Sequence, residues 1–376
     1  MAEKKAPGKA KKPAEKKGTG AGAKTKGGSL LFRKVYGCLL GGIIGDAMGA
    51  PAEGMNYEDV KKKFGWIKNF EGAGTDDSAI KLILCEAIIK SNGHVTADEW
   101  AESFLANKKR FYNYFYIPVR NMFHKVESKL SLPIYAGYGN MHSSSSAMSI
   151  SPMGIINACR PRQAAAETWD AASLIHSGPS TFCRDGACAI AAAVAEAMSP
   201  KATVKSILDT AVKYLHKDSS KELLDRIKLT MDILERTKEY EAFRKEYYKK
   251  CLGDIVSDSR ETVPCVLALF KLANGDPVKA VEYGANFGRD ADTIGTMIGA
   301  LAGAFRGVDG FKPEWIAQIE ASYGKMQNPS KDYKGVEAAA APNQRELAVA
   351  LIKVMLSKAE EELKAQELFC SLVTGS

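Results

Sequence analysis

Residues 288–307 read GRDADTIGTMIGALAGAFRG, and two patterns are superimposed in this stretch. In its second half, glycine recurs at every fourth position in a run that is otherwise small and apolar: Gly295, Gly299, Gly303 and Gly307. Positions four apart lie on one face of an α-helix, so another backbone can approach that face closely. Because an interior glycine destabilises a helix by roughly 0.5–1 kcal/mol relative to alanine, four in register indicate a packing requirement.

A matching glycine stripe lies near the start of the apolar part of the chain, with the same spacing: Gly37, Gly41, Gly45 and Gly49. Two helices that each carry such a stripe can pack backbone against backbone. The sequence therefore predicts that these two helices pair closely. The acidic residues Asp46 and Glu53 lie within or just after the first of them.

Oxygen-bearing side chains begin the later striped helix and a third apolar helix, namely Asp290, Asp292 and Thr293, and Thr75, Asp76 and Asp77. Two carboxylates about 4 Å apart repel by about 4 kcal/mol at an effective dielectric of 20, so a converged cluster needs protons or cations. Oxygen ligands without His or Cys favour a hard ion such as Mg²⁺, Mn²⁺ or Ca²⁺. Each group alone is also typical of ordinary helix capping; the paired glycine stripes favour a metal site.

Most of the remaining sequence has helical periodicity, and few segments alternate with a period of two, so the fold class is predicted to be all-α. Residues 221–250 are predicted to form one long charged helix. We expect a tail at 1–28, a single large domain at 29–326, a linker at 327–343 and a C-terminal helix within 344–376. The polar stretch 132–151 is predicted to be a functional loop.

The net charge of +8 is concentrated in the tail, where residues 1–28 hold nine lysines and two glutamates and so leave +1 for the rest. With no large apolar side chain, the tail is expected to be disordered; it is either simply solvated or binds an acidic partner or nucleic acid. The eight cysteines include no Cys-x-x-Cys pair, which favours reduced thiols. We expect no membrane segment and a cytoplasmic location, with the nucleus as the alternative because of the lysine-rich tail.

Three segments in a fixed order carry a family resemblance: GGIIGDAMGAPAE at 41–53, TDDS at 75–78 and GRDADTI at 288–294. Weaker matches are SAM at 146–148, PMG at 152–154 and LIH at 174–176. Together they resemble the ADP-ribosylglycohydrolase family over residues 33–308. The resemblance implies that residues 29–326 form a catalytic domain, an orthogonal helical bundle with a binuclear metal site.

The resemblance also implies a reaction, the hydrolysis of the glycosidic bond at the anomeric carbon of an ADP-ribosyl or related ribosyl group. The implied cofactor is a pair of Mg²⁺ ions, with Mn²⁺ as the alternative. The implied metal ligands are Thr75, Asp76, Asp77, Asp290, Asp292 and Thr293. The implied catalytic residues are Glu53, at the position of a mobile gating glutamate, and Asp76, Asp77 and Asp292.

Six further residues are implied to bind substrate: Asp46, Gly139, Asn140, Ser146, His176 and Arg289. Two of these assignments have alternatives. His176 is equally typical of a hydrogen-bonded core histidine, and Arg289, where relatives often have glycine, either pairs with an acidic neighbour or contacts a phosphate. Because the sequence departs from the family pattern at positions such as Arg289, it does not identify the leaving group of the reaction. A non-catalytic ADP-ribose-binding or crystallin-like structural protein is the alternative function, and the oligomeric state is open.

Overall fold

The computed structural model describes residues 28–322 and 343–374, and over these residues the chain forms helices without a β-strand, which confirms the all-α class. Apart from Gly28 and Asn343, the predicted tail and linker lie outside the described residues. The α-helices are α1 (Leu30–Gly49), α2 (Tyr57–Phe64), α3 (Asp76–Lys90), α4 (Ala97–Ala106), α5 (Lys108–Phe111), α6 (Ile117–Glu127), α7 (Pro133–Ala136), α8 (Ser151–Ile156), α9 (Pro161–Ala172), α10 (Thr181–Ala197), α11 (Val204–Lys213), α12 (Lys221–Thr237), α13 (Tyr240–Lys250), α14 (Ser259–Leu272), α15 (Pro277–Ala285), α16 (Ala291–Arg306), α17 (Pro313–Ala321) and α18 (Gln344–Thr374).

Helices α1 and α16 form the centre of the molecule, and their glycine stripes face each other. A Cβ atom built on Gly45 would lie 1.9 Å from the carbonyl oxygen of Gly295, and one built on Gly41 would lie 2.3 Å from that of Gly299. Only glycine allows backbones to approach this closely, so the predicted pairing is confirmed. Because the earlier glycine of α1 faces the later glycine of α16, the two helices are antiparallel. The start of α16 therefore lies beside the end of α1.

By length and composition alone, the segment Leu30–Ala52 is apolar enough to cross a membrane. However, 89% of its most apolar window is buried inside the protein, packed by α3, α8, α15, α16 and α18. Burial on all sides is what a uniformly apolar helix needs at the centre of a large core.

The predicted single helix over residues 221–250 is wrong, because the chain forms two helices, α12 and α13. Lys238 lies between them with a φ of 61°, in the left-handed region, and its N–H donates to the carbonyl of Leu234. This conformation ends α12 by satisfying one of its free carbonyl groups. Neither glycine nor proline marks the break.

A buried lysine, Lys358, makes polar contacts between helix α18 and the body. The Nζ of Lys358 lies 2.6 and 2.8 Å from the carboxylate oxygens of Glu167, and it also donates to the carbonyl of Gly93 at 3.2 Å and to Asn157 Oδ1 at 3.3 Å. The ammonium group therefore has a carboxylate and two further acceptors. The C-terminal helix consequently packs against the same body as the other helices.

Candidate metal centre

Helices α3 and α16 begin at the same place, next to the end of α1. Thr75 is the N-cap residue of α3 and Asp290 is the N-cap residue of α16. Between the two helices, Thr75 Oγ1 lies 3.4 Å from Asp292 Oδ2, and Thr293 Oγ1 lies 3.5 Å from Asp77 Oδ2. The structure thus brings the predicted ligands of both segments together.

The carboxylates form two triads, Glu53 with Asp290 and Asp292, and Asp76 with Asp77 and Asp292. Within each triad, one oxygen of every residue lies within 4.8 Å of the others, and Asp292 belongs to both. Three buried oxygens, Asp77 Oδ1, Asp290 Oδ2 and Asp292 Oδ1, have no hydrogen-bond partner. Burying such atoms without a partner is unfavourable. A hard cation would supply that partner, so these residues fit a divalent metal site.

The pKa values in the cluster are raised for a common reason. Burial, followed by the charges of Glu53 and Asp46, raises the pKa of Asp76 to about 7. Burial, followed by the charge of Glu53, holds the pKa values of Asp290 and Asp292 well above their usual range. Without cations, the cluster therefore favours bound protons.

Asp46 lies behind this cluster and does not line the cleft. It is fully buried in α1, and its carboxylate accepts from the N–H and hydroxyl groups of Thr75 at 3.0 and 2.8 Å. It also accepts from the N–H and hydroxyl of Ser78 at 3.0 and 2.5 Å. These bonds fix the first turn of α3, so the structure makes Asp46 a positioning residue rather than the predicted substrate-binding one.

Lys81 is a buried cation beside Asp46 and Asp77 that was not predicted from the sequence. Its Nζ donates to Thr296 Oγ1 at 2.6 Å, and it occupies space that a side chain at Gly42 would fill, since a Cβ there would lie 2.6 Å away. Burial lowers the pKa of Lys81, while the charges of Asp46 and Asp77 oppose that effect. Its position four residues after Asp77, on the same face of an apolar helix, was the available signal.

A cleft of about 490 Å³ opens onto the metal centre. It is lined by Glu53, Gly54, Asp76, Asp77, Tyr116, Met141, Ser144, Ser145, Met148, Asp254, Ile255, Val256, Ser257, Asp290, Asp292 and Thr293. Residues 254–257 form one wall of the cleft and were not predicted from the sequence. Among these described lining residues there is no Lys, Arg or His.

The other predicted substrate residues shape the loop beside the cleft. His176 is buried, with Nδ1 2.6 Å from Ser146 Oγ and Nε2 3.1 Å from Ser143 Oγ. Burial lowers the pKa of His176 to about 3, so the ring is neutral. Asn140 donates to two backbone carbonyls at 2.8 and 3.0 Å, and Gly139 is exposed with a φ of 77°. The hydrogen bonds of Asn140 and of the Ser146–His176 pair position the loop, and the geometry supports His176 as a hydrogen-bonded core histidine.

Arg289 is not among the residues that line the cleft. Its Nε donates to Glu261 Oε1 at 2.7 Å. Of the two roles left open by the sequence, the structure therefore shows pairing with an acidic neighbour.

Residues 28–349 match the model of a protein family described as ADP-ribosylglycohydrolase. The chain is 26% identical to the Escherichia coli (strain K12) protein YegU, itself uncharacterised, over 78% of this chain and 93% of that one. It is 22% identical to the ADP-ribosyl-[dinitrogen reductase] glycohydrolase of Rhodospirillum rubrum, over 78% and 92% of the two chains. A solved ADP-ribosylglycohydrolase-related protein complex shares the fold, with a TM-score of 0.61 and 19% identity over 86% of this chain and 99% of that one.

Proposed function

The chain belongs to the ADP-ribosylglycohydrolase family, whose members are glycosyl hydrolases, and we propose that it is a Mg²⁺-dependent hydrolase of an ADP-ribosyl or related ribosyl group. The bond cleaved would be the glycosidic bond at the anomeric carbon. The observation that carries this proposal is the pair of carboxylate triads that share Asp292 and leave buried oxygens without partners. Two triads favour two ions, with Mn²⁺ as the alternative to Mg²⁺.

The proposed ligands are Thr75, Asp76, Asp77, Asp290, Asp292 and Thr293. Bound divalent ions would supply charge neutralisation, orientation of substrate hydroxyls and a water of lowered pKa. The protein's own contribution is to hold these oxygens in place before substrate arrives, because Asp46 fixes the start of α3 and the glycine interface fixes α16 against α1.

Glu53 is the proposed proton acceptor. Its carboxyl group lines the cleft and lies within 4.8 Å of oxygens of Asp290 and Asp292. Withdrawal of this group from water, followed by the charge of Asp46, raises its pKa. A carboxyl group with a raised pKa is a stronger base and can take a proton from an attacking water.

The ADP-ribosyl group is the first substrate to test, because one relative is named as a glycohydrolase of ADP-ribosyl-dinitrogen reductase. A cleft of about 490 Å³ is within the range of small-molecule sites. The decisive assay incubates the protein, with Mg²⁺ or with EDTA, against ADP-ribosyl-arginine and ADP-ribosyl-serine peptides, poly(ADP-ribose), O-acetyl-ADP-ribose, NAD and nucleosides. Mass spectrometry would detect the released ribosyl product and so identify the leaving group.

We expect product from at least one substrate and its loss in EDTA. The matched control is Asp209→Asn, which removes an exposed carboxylate that is paired with Lys205 and does not line the cleft, and which should leave turnover unchanged. Turnover that persists in EDTA would contradict the proposed metal dependence. If no substrate reacts while Mg²⁺ still raises the melting temperature, the non-catalytic alternative is favoured.

A further inference from the structure

The residue before the metal ligand Asp290 joins three parts of the cleft. The N–H of Arg289 donates to the carbonyl of Met55 at 2.6 Å, and the N–H of Gly54 donates to the carbonyl of Arg289 at 2.7 Å. These two backbone bonds tie the segment that follows Glu53 to the turn that carries Asp290. Arg289 has a φ of 59°, a left-handed conformation that glycine adopts without strain.

The side chain of Arg289 reaches Gly253, the residue that directly precedes the cleft wall at residues 254–257. Its Nε and Nη2 donate to the two carboxylate oxygens of Glu261 at 2.7 and 3.0 Å, and Nη2 also donates to the carbonyl of Gly253 at 2.7 Å. Glu261, which is 2% exposed, in turn accepts from the N–H of Gly253 at 2.9 Å. Both members of the ion pair thus hold the backbone of Gly253, where the wall begins.

The wall has no regular secondary structure, so its position depends on its anchors. At its far end, Ser144 Oγ donates to the carbonyl of Ser257 at 2.9 Å. At its near end, Gly253 has no side chain to pack, and no atom lies within 4 Å of the place a Cβ would occupy. The Arg289–Glu261 pair therefore provides the anchor at this end.

We propose that Arg289 and Glu261 are positioning residues that hold the cleft wall at 254–257 in register with Asp290 and Glu53. This inference rests on the proposed function, because it assumes that substrate binds in this cleft. A buried ion pair is often no more stabilising than apolar residues of the same size, so stability alone gives little reason for this pair. Its bidentate geometry instead fixes orientation.

The test uses variants that separate positioning from stability. Arg289→Gly keeps the turn, because glycine accepts its φ, and removes the clamp, although it leaves the buried carboxylate of Glu261 without its cation and with only the N–H of Gly253 as a donor. The double variant Arg289→Gly/Glu261→Gln removes that buried charge and should recover part of the lost melting temperature. We expect both to show faster amide hydrogen exchange over residues 253–257. Both should also lose kcat/KM by about 10–100-fold, as misplacement near a reacting centre does.

The matched control is the remote buried pair, changed as Lys358→Met/Glu167→Gln, which should leave exchange at 253–257 and kcat/KM unchanged. Unchanged exchange at 253–257 in Arg289→Gly would overturn the proposal. So would faster exchange with an unchanged kcat/KM, or a kcat/KM that returns to the wild-type value in the double variant while the clamp is absent. The exchange measurement needs no turnover, so it tests the clamp even if the proposed hydrolase activity fails.

Discussion

Two groups of carboxylates that are withdrawn from water in this protein have opposite surroundings. Next to α18, Glu167 receives the ammonium group of Lys358 at 2.6 and 2.8 Å and the amide of Asn157 at 2.6 Å. At the start of α16, Asp290 and Asp292 lie among other carboxylates, and each has a buried oxygen without a partner. The first region is complete within the chain, whereas the second requires a cation or protons.

The pKa shifts follow the surroundings. Burial raises the pKa of Glu167, but hydrogen bonds from Gln163, Lys358 and Asn157 outweigh it, so the net shift is downward. For Asp292, burial and the charge of Glu53 act in the same direction, so the shift is upward. Hydrogen-bond and ion-pair partners, rather than burial, therefore decide whether the pKa of a carboxylate is lowered or raised in these two regions. The region without partners is the one suited to bind something else.

The largest effect should come from removing the charges of the incomplete region. Asp290→Asn/Asp292→Asn should abolish Mg²⁺-dependent stabilisation and reduce turnover by more than the roughly 10–100-fold typical of changes around a metal's ligands. In EDTA, however, the variant should be more stable by about 1–4 kcal/mol, because repulsion between carboxylates is removed. Kinetic assays and denaturant unfolding with and without Mg²⁺ would measure both effects.

A variant that loses activity but gains stability in the absence of metal would indicate a site whose ligands are held together against repulsion. If the double variant were less stable than wild type in EDTA, the carboxylates would be contributing to the fold, as Glu167 does. A wild-type response to Mg²⁺ in that variant would show that the ions bind elsewhere.

The complete region should respond in the reverse manner. Lys358→Met leaves Glu167 without its cation, and breaking a buried pair costs about 3–5 kcal/mol; the lower end applies because the Glu167 side chain is 19% exposed. Turnover and Mg²⁺ binding should not change. Urea unfolding of this variant, of Glu167→Gln and of the double variant would isolate the coupling of the pair. A coupling free energy near zero would mean that the Lys358–Glu167 pair does not stabilise the fold, and the two regions would then not differ as described.

Local sequence patterns predicted the central part of the fold. The two glycine stripes, each with a period of four, indicated the α1–α16 contact. Glycines at that spacing leave one face of a helix without side chains, which allows a second backbone to pack against it. The grouping of acidic and hydroxyl residues before apolar runs indicated where α3 and α16 begin. With both helices placed, the two acidic groups necessarily met, so the ligand cluster followed from short-range information.

Features that depend on distant partners were not predictable. Glu261 and Arg289 are 28 residues apart in sequence, and nothing local links them. The family resemblance implied that Asp46 binds substrate, but its oxygens accept hydrogen bonds from the first turn of α3. The break at Lys238 lacks the usual glycine. The ion pair and the role of Asp46 depend on tertiary contacts that no short segment encodes, and the Lys238 break carries no sequence signal.

The smallest effect, a pH dependence of a few degrees in melting temperature, would sharpen the comparison without a mutation. A carboxyl group whose pKa is raised in the folded state binds protons more tightly there than in the unfolded chain. The pKa of Asp76 is raised from 3.8 to about 7. Asp76 therefore stabilises the fold at low pH, and this contribution is lost as pH rises from about 4 through 7. Glu167 has a lowered pKa and contributes in the opposite direction. It stabilises the fold above about pH 4.5, and this stabilisation is lost as pH falls.

Thermal melts from pH 4 to 8 in EDTA should thus show wild type losing stability relative to Asp290→Asn/Asp292→Asn as pH rises, because the variant has fewer carboxylates to keep protonated. In Mg²⁺ the relative slope should reverse, since a cation competes with protons and binds best when the carboxylates are ionised. Comparing wild type with the variant cancels titrations elsewhere, including that of Glu167. Parallel curves in EDTA would mean that the clustered carboxylates keep ordinary pKa values. The distinction between a region complete in itself and one completed by a cation would then fail.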